Sequence, residues 1–130
     1  MGRGVSTCAT CDGALYKAKR VIVVGGGDSA MEEATFLAKF ARAVRVVHRR
    51  GELRASKAMQ KKAREDRRIE FTLDTVVEEI YDPGRAEVTG VRLRNLKQNA
   101  TYDMEIDGVF LAIGHEPNTV PFKGQVELDA

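Results

Sequence analysis

The sequence predicts an α/β domain: a parallel sheet with an antiparallel β-meander inserted before its last strand. Three observations predict it. Arg20 to Val24 is a β-branched run that ends directly on three glycines and a helical stretch. Beyond residue 75 the apolar residues alternate with polar ones, and turn signals separate short stretches. At Gly108 to Ile113 the chain is continuously apolar again, as a strand returning to a buried sheet would be.

Taken in order, residues 1–19 have weak periodicity and read as a loop or short turn carrying Cys8 and Cys11. Arg20 to Val24 is a buried parallel strand. Asp28 to Arg42 repeats Ala30, Ala34, Leu37 and Ala41 at helical spacing and reads as an amphipathic helix. Val44 to His48 is a second short strand. A strongly basic helix follows over Ala55 to Asp66, with Ala55, Ala58, Met59 and Ala63 as its apolar stripe. Ile69 to Leu73 is a third strand. Val76 to Tyr81, Glu87 to Arg94 and Thr101 to Asp107 make the meander, with turns at Asp82-Pro83-Gly84 and Lys97 to Ala100. Val91/Leu93 and Tyr102/Met104/Ile106 alternate with polar residues, which suits a meander wet on one face.

Composition narrows the class. Hydrophobic residues are 43% and charged residues 31% of 130, which excludes collagen-like, disordered and coiled-coil chains. No apolar run approaches the roughly 20 residues needed to span a bilayer. No apolar N-terminal core reads as a signal peptide, and two cysteines are too few for a disulfide-stapled scaffold. The expectation is one soluble, cytoplasmic domain without a membrane partner. The net charge of +2 hides an asymmetry. Arg42 to Arg68 holds eleven Lys/Arg against three Asp/Glu; the remainder holds ten against sixteen. A basic block in an acidic remainder points to an anionic ligand at one place. Nucleic acid is disfavoured, because no aromatic stacking residue interrupts the block and no recognition motif appears.

Gly25-Gly26-Gly27-Asp28-Ser29-Ala30 fits G-x-G-x-x-A. Its context, an apolar strand before and an amphipathic helix after, is the one a Rossmann-like dinucleotide site requires. Gly25 permits the tight turn, Gly27 leaves room for a pyrophosphate, and Ala30 keeps helix and strand close. The helix N-terminus then faces the pyrophosphate, where the macrodipole favours negative charge. The alternative is a βα turn with no ligand.

The end of the second strand selects the dinucleotide. An NAD site places Asp or Glu there, on the ribose 2′-hydroxyl. This chain offers His48-Arg49-Arg50 and then Arg54. Guanidinium groups hold a 2′-phosphate bidentately, so the reading is NADPH. The competing reading is a solvated basic face, which Lys57, Lys61, Lys62, Arg64, Arg67 and Arg68 fit better.

Cys8-Ala9-Thr10-Cys11 is a C-x-x-C pair. As zinc ligands the two would need two more, and only His48 and His115 are at hand, so no metal is expected. An inert buried pair and a redox dithiol remain. The neighbouring nicotinamide motif supplies hydride to the dithiol reading, with a flavin as the expected intermediate. Asp12, directly after the second cysteine, offers a proton shuttle for thiol–disulfide exchange or a plain turn residue.

Together these residues resemble the NADPH-binding domain of bacterial low-molecular-weight thioredoxin reductases. The resemblance runs from Gly4-Val5-Ser6 through Cys8-Ala9-Thr10-Cys11-Asp12-Gly13 to the glycine turn with Glu32-Glu33. It continues over His48-Arg49-Arg50 and Arg54-Ala55 and ends on Ala112-Ile113-Gly114-His115-Glu116-Pro117-Asn118-Thr119. It implies that hydride passes from NADPH to FAD and that FAD reduces a Cys8–Cys11 disulfide. Cys8 would attack the disulfide of thioredoxin, Cys11 would face the flavin, and Asp12 would give and take the proton. Ile113 and Gly114 would join the glycine turn, His48 and the arginines in cofactor binding. The complete enzyme would be a homodimer.

The resemblance also implies three segments: 1–19 with the dithiol, 20–114 binding NADPH, and 115–130 leading toward an FAD domain. The FAD fingerprint of that family is missing here, so the chain reads as an isolated NADPH domain that does not turn over alone. Competing functions are a peroxiredoxin-reducing flavoprotein relative and a stand-alone NADPH-binding or sensing module.

Overall fold

The computed structural model describes residues 5–6, 13–82 and 88–112. The elements in chain order are β1 (Val5–Ser6), a 3-10 turn (Gly13–Tyr16), β2 (Arg20–Val24), α1 (Asp28–Leu37), β3 (Ala43–Val47) and α2 (Lys57–Arg64). Then come β4 (Ile69–Thr72), β5 (Thr75–Tyr81), β6 (Gly90–Asn95), β7 (Ala100–Glu105) and β8 (Gly108–Leu111). Five strands make a parallel sheet in the order β1-β8-β2-β3-β4, and β5-β6-β7 make an antiparallel one. The class is therefore the one expected, with the meander between β4 and β8.

The two faces of the parallel sheet explain both halves of the sequence pattern. Val21, Val23, Val44, Val46 and Phe110 pack with Ala30, Met31, Ala34 and Leu37 of α1 and Ala63 of α2. Ile22, Val24, Val47, Val109 and Leu111 point the other way and pack with Val77, Ile80, Val91 and Leu93 of the meander. Strands covered on both faces need no polar alternation, and so read as unbroken apolar runs. Of the alternating meander residues, Val91, Leu93 and Ile106 are buried, whereas Tyr102 stays 44% exposed. Tyr102 pairs with Leu93 from β7, the outer strand of its sheet.

Two differences from expectation stand out. Val5–Ser6, read as loop, pairs in parallel with Val109–Phe110 as an edge strand. Two residues are too few to show a period. The segment after the cysteines, read as loop or short turn, holds the 3-10 turn and buries Tyr16, whose ring lies 5.3 Å from that of Phe110 in an edge-to-face contact. Finally, α1 stops at Leu37, short of the periodic stretch to Arg42. The backbone there has other partners. Ala18 N donates to Phe40 O at 2.8 Å, and Arg42 N donates to Lys19 O at 2.8 Å. These bonds bring β2 and β3 into register. Among the described residues no helix is long and apolar enough to cross a membrane.

Candidate functional site

The glycine turn follows β2 at the C-terminal edge of the parallel sheet. The chain moves from β2 to β3 on one side and returns as β8 on the other. Such a reversal of strand order is the place where ligands of open α/β sheets bind, outside the carboxyl ends of the strands. Gly25 N donates to Val47 O at 3.0 Å, and Ala112 N donates to Val24 O at 2.8 Å. The turn is thus pinned between β3 and the end of β8.

Each glycine is small for a different reason. Gly25 has φ +148°, and a Cβ there would collide with the Ala112 carbonyl oxygen. Ala30, fully buried, packs against the same point. A Cβ on Gly26 would run into the His48 imidazole. Gly27 is unlike both: its φ of −97° suits any residue, and among the described residues its Cβ would meet only Arg54 Nη2, 4.0 Å away. Nothing in the described fold requires a glycine at that point. It is the N-cap of α1 and has no side chain to cap the helix with, and none of the described residues caps it in its place. The first turn of α1 therefore opens onto a space that backbone amides and helix dipole make favourable for an anion.

A second loop folds over this turn. Arg54 N and Ala55 N both donate to Gly26 O, at 2.6 and 3.0 Å. Ser56 N donates to Asp28 Oδ1 at 2.8 Å, and Ser56 Oγ accepts from Met59 N at 3.2 Å to cap α2. Asp28 thus fastens the basic loop to the glycine turn, and its carboxylate is engaged there. Arg49 and Arg50 are exposed just past β3. Among the described residues neither is in an ion pair, whereas Arg20, Arg45, Arg92 and Arg94 all are.

His48 differs from the arginines beside it. It is 5% exposed, its ring lies against Gly26, and its Nε2 has no hydrogen-bond partner among the described residues. Burial holds the imidazole below its ordinary pKa of 6.5; the guanidinium groups of Arg54, Arg50 and Arg49 push the same way, against a hydrogen bond to the Glu52 backbone. A neutral His48 therefore packs under the loop at neutral pH.

Glu33, on α1, is a second perturbed group. Its Oε1 is buried with no partner among the described residues. Burial, and then the charge of Glu32, push its carboxyl from 4.5 up to about 7. The folded state thus binds this proton more tightly than the unfolded one. Stability from it is complete below pH 4.5 and is lost as pH rises through about 7. Urea midpoints at pH 5 and pH 8 should therefore fall further for the wild type than for Glu33→Gln. An equal fall in both would mean that Glu33 titrates normally.

Of the residues singled out in the sequence, Gly25, Gly26, Gly27, Asp28, Ser29, Ala30, His48, Arg49, Arg50 and Arg54 come together at this edge. Cys8, Cys11, Asp12, Ile113 and Gly114 lie outside the described residues, although Ala112, beside Ile113, touches Gly25. Sequence reasoning missed Ser56, whose signal was a serine one residue before a helical stretch. It also assigned Arg68 to a solvated face, whereas Arg68 Nη1 donates to Ala38 O at 2.5 Å, at the end of α1. Arg64, likewise, lies over the Phe71 ring at 4.6 Å.

Comparison with known proteins gives a consistent picture. Residues 1–130 match the pyridine nucleotide-disulphide oxidoreductase family. A thioredoxin reductase of Streptomyces coelicolor is 53% identical over 128 residues, 98% of this chain and 39% of that protein. A bifunctional thioredoxin reductase/thioredoxin of Mycobacterium leprae is 48% identical, over 99% of this chain and 28% of its own length. The crystal structure of a Streptococcus pyogenes thioredoxin reductase superposes with a TM-score of 0.84 at 45% identity, covering 90% of this chain and 38% of that one. The chain spans about two fifths of the length of the first curated relatives it matches.

Proposed function

This chain belongs to the pyridine nucleotide-disulphide oxidoreductase family, and from that premise we propose that it is the NADPH-binding and redox-dithiol part of a thioredoxin reductase. The observation that carries the reading is Gly27. Its backbone does not need a glycine and, among the described residues, its Cβ would meet no crowding and the helix end has no cap, so the missing side chain makes sense as room for a ligand. Arg49, Arg50 and Arg54 beside it suit a 2′-phosphate, and no Asp or Glu ends β3 to take a 2′-hydroxyl.

The division of labour follows from the chemistry of each group. The α1 amides bind the pyrophosphate, and the arginines bind the 2′-phosphate and so select NADPH over NADH. Asp28 and His48 hold the arginine loop in place. FAD has no 2′-phosphate and would leave this arginine loop unused, so its binding is assigned to other parts of the enzyme. Cys8 and Cys11 exchange their thiols with the disulfide of an acceptor: the acceptor gains two electrons and two protons, and the pair becomes a disulfide. The relatives make thioredoxin the acceptor of choice. Asp12 handles the proton.

Calorimetric titration of the 130-residue chain with NADPH and then NADH, without flavin, tests the reading. The expected result is clear NADPH binding, much weaker NADH binding, and no consumption of NADPH when thioredoxin is added. Binding of neither dinucleotide would overturn the assignment.

A further inference from the structure

The loop that carries Arg49 and Arg50 is held at two ends. Asp28 and Gly26 hold the far end, as described. The near end is held by a residue of the β4–β5 junction, Asp74. Asp74 N donates to Arg50 O at 3.0 Å, and Asp74 O accepts from Leu96 N at 2.7 Å. On either side of this link, Thr75 N donates to His48 O and His48 N donates to Thr72 O, each at 3.0 Å. Leu96 begins the β6–β7 turn, which is itself braced: Asn95 Oδ1 accepts from Lys97 N at 3.0 Å and Gln98 N at 2.9 Å. Asp74 can face both partners because its φ is 55°, in the left-handed region. Asp and Asn tolerate that region and β-branched residues do not. Its carboxylate lies against Gly51, where a Cβ would stand 3.3 Å from Oδ1.

We propose that Asp74 is a positioning residue for nucleotide selectivity: its left-handed backbone ties the Arg49–Arg50 loop to the antiparallel sheet and so sets where the guanidinium groups meet a 2′-phosphate. The inference rests on the NADPH reading above. It gives the meander a part in choosing the dinucleotide without touching it.

The test is calorimetry with NADPH and NADH as probes, with thermal melts alongside. Asp74→Val, which cannot hold the left-handed backbone, should lower the preference for NADPH about tenfold, at the small end of what a charge-assisted contact is worth. Asp74→Asn keeps both backbone bonds and should stay within about twofold of wild type. Should Asp74→Val fail to fold, Gly51→Ala serves instead, since its Cβ presses on the Asp74 carboxylate. It should lower the preference about threefold at unchanged melting temperature, and adding Asp74→Gly should restore it. A folded Asp74→Val with wild-type preference overturns the inference, as does Gly51→Ala with no effect. Equal weakening of NADPH and NADH overturns it as well, because a general structural role would do that. A wild-type chain that binds neither dinucleotide overturns the NADPH reading and this inference together. Wild-type preference that persists in the variants removes this inference alone.

Discussion

Gly27→Val is expected to weaken NADPH binding by at least about 100-fold, or 2.7 kcal/mol, while the domain stays folded. Two facts separate this substitution from the same change at Gly25 or Gly26. The Gly27 backbone, φ −97° and ψ −168°, is one that valine adopts readily. Among the described residues the new Cβ would find no atom nearer than Arg54 Nη2 at 4.0 Å. The cost to folding is then the loss of a modest N-cap preference, about 1 kcal/mol or less. The branched side chain would instead occupy the space over the α1 N-terminus, where a pyrophosphate must come within hydrogen-bonding distance of the amides. Gly25→Val, in contrast, is expected to unfold or misfold the turn, because its Cβ meets the Ala112 carbonyl and φ is +148°. Comparing the two by thermal melt and calorimetry separates a glycine kept for the ligand from one kept for the fold. If Gly27→Val binds NADPH as well as wild type, the open space at the helix end is not the ligand's.

Removing a guanidinium should act differently. Arg49→Ala and Arg50→Ala are each expected to weaken NADPH by about 1.5–3 kcal/mol, the worth of a hydrogen bond to a charged group, and to leave NADH affinity nearly unchanged. Both side chains are exposed and outside any ion pair among the described residues. Their loss should therefore cost the fold little, within about 0.5 kcal/mol for a surface position. Titrating each variant with both dinucleotides gives the answer directly. A parallel loss for NADPH and NADH would make the arginines structural and the phosphate assignment wrong. Raising the salt concentration should also narrow the gap between NADPH and NADH in the wild type, because exposed charges are screened.

Much of the fold was legible in the sequence because its signals are local. A β-branched run, three glycines and a 3.6-residue apolar repeat report on neighbours within a few positions. That was enough to read β2, the turn and α1, and the switch to alternation was enough to place the meander. The residue types of the site were legible for the same reason: G-x-G-x-x-A and the arginines after β3 lie in two short stretches. β1 was not legible, because a two-residue strand has no period and exists only through its pairing with Val109–Phe110. Nor was the early end of α1, which depends on backbone bonds to Ala18 and Lys19, some twenty residues earlier in the chain.

By itself the sequence determined the class and the order of the elements from β2 onward, and it suggested a ligand for its glycines and arginines. The tertiary structure alone decided which of those residues stay open at the sheet edge and which hold the others. Asp28 lies within the fingerprint, yet its carboxylate is taken by Ser56, 28 positions on. His48 stands next to two exposed arginines, yet it is buried against Gly26. Asp74 carried no signal at all and still holds Arg50 in place. The physical reason is the same in each case. Periodicity and residue type report what a short stretch prefers, whereas a hydrogen bond between distant stretches exists only once the sheet has brought them to one edge.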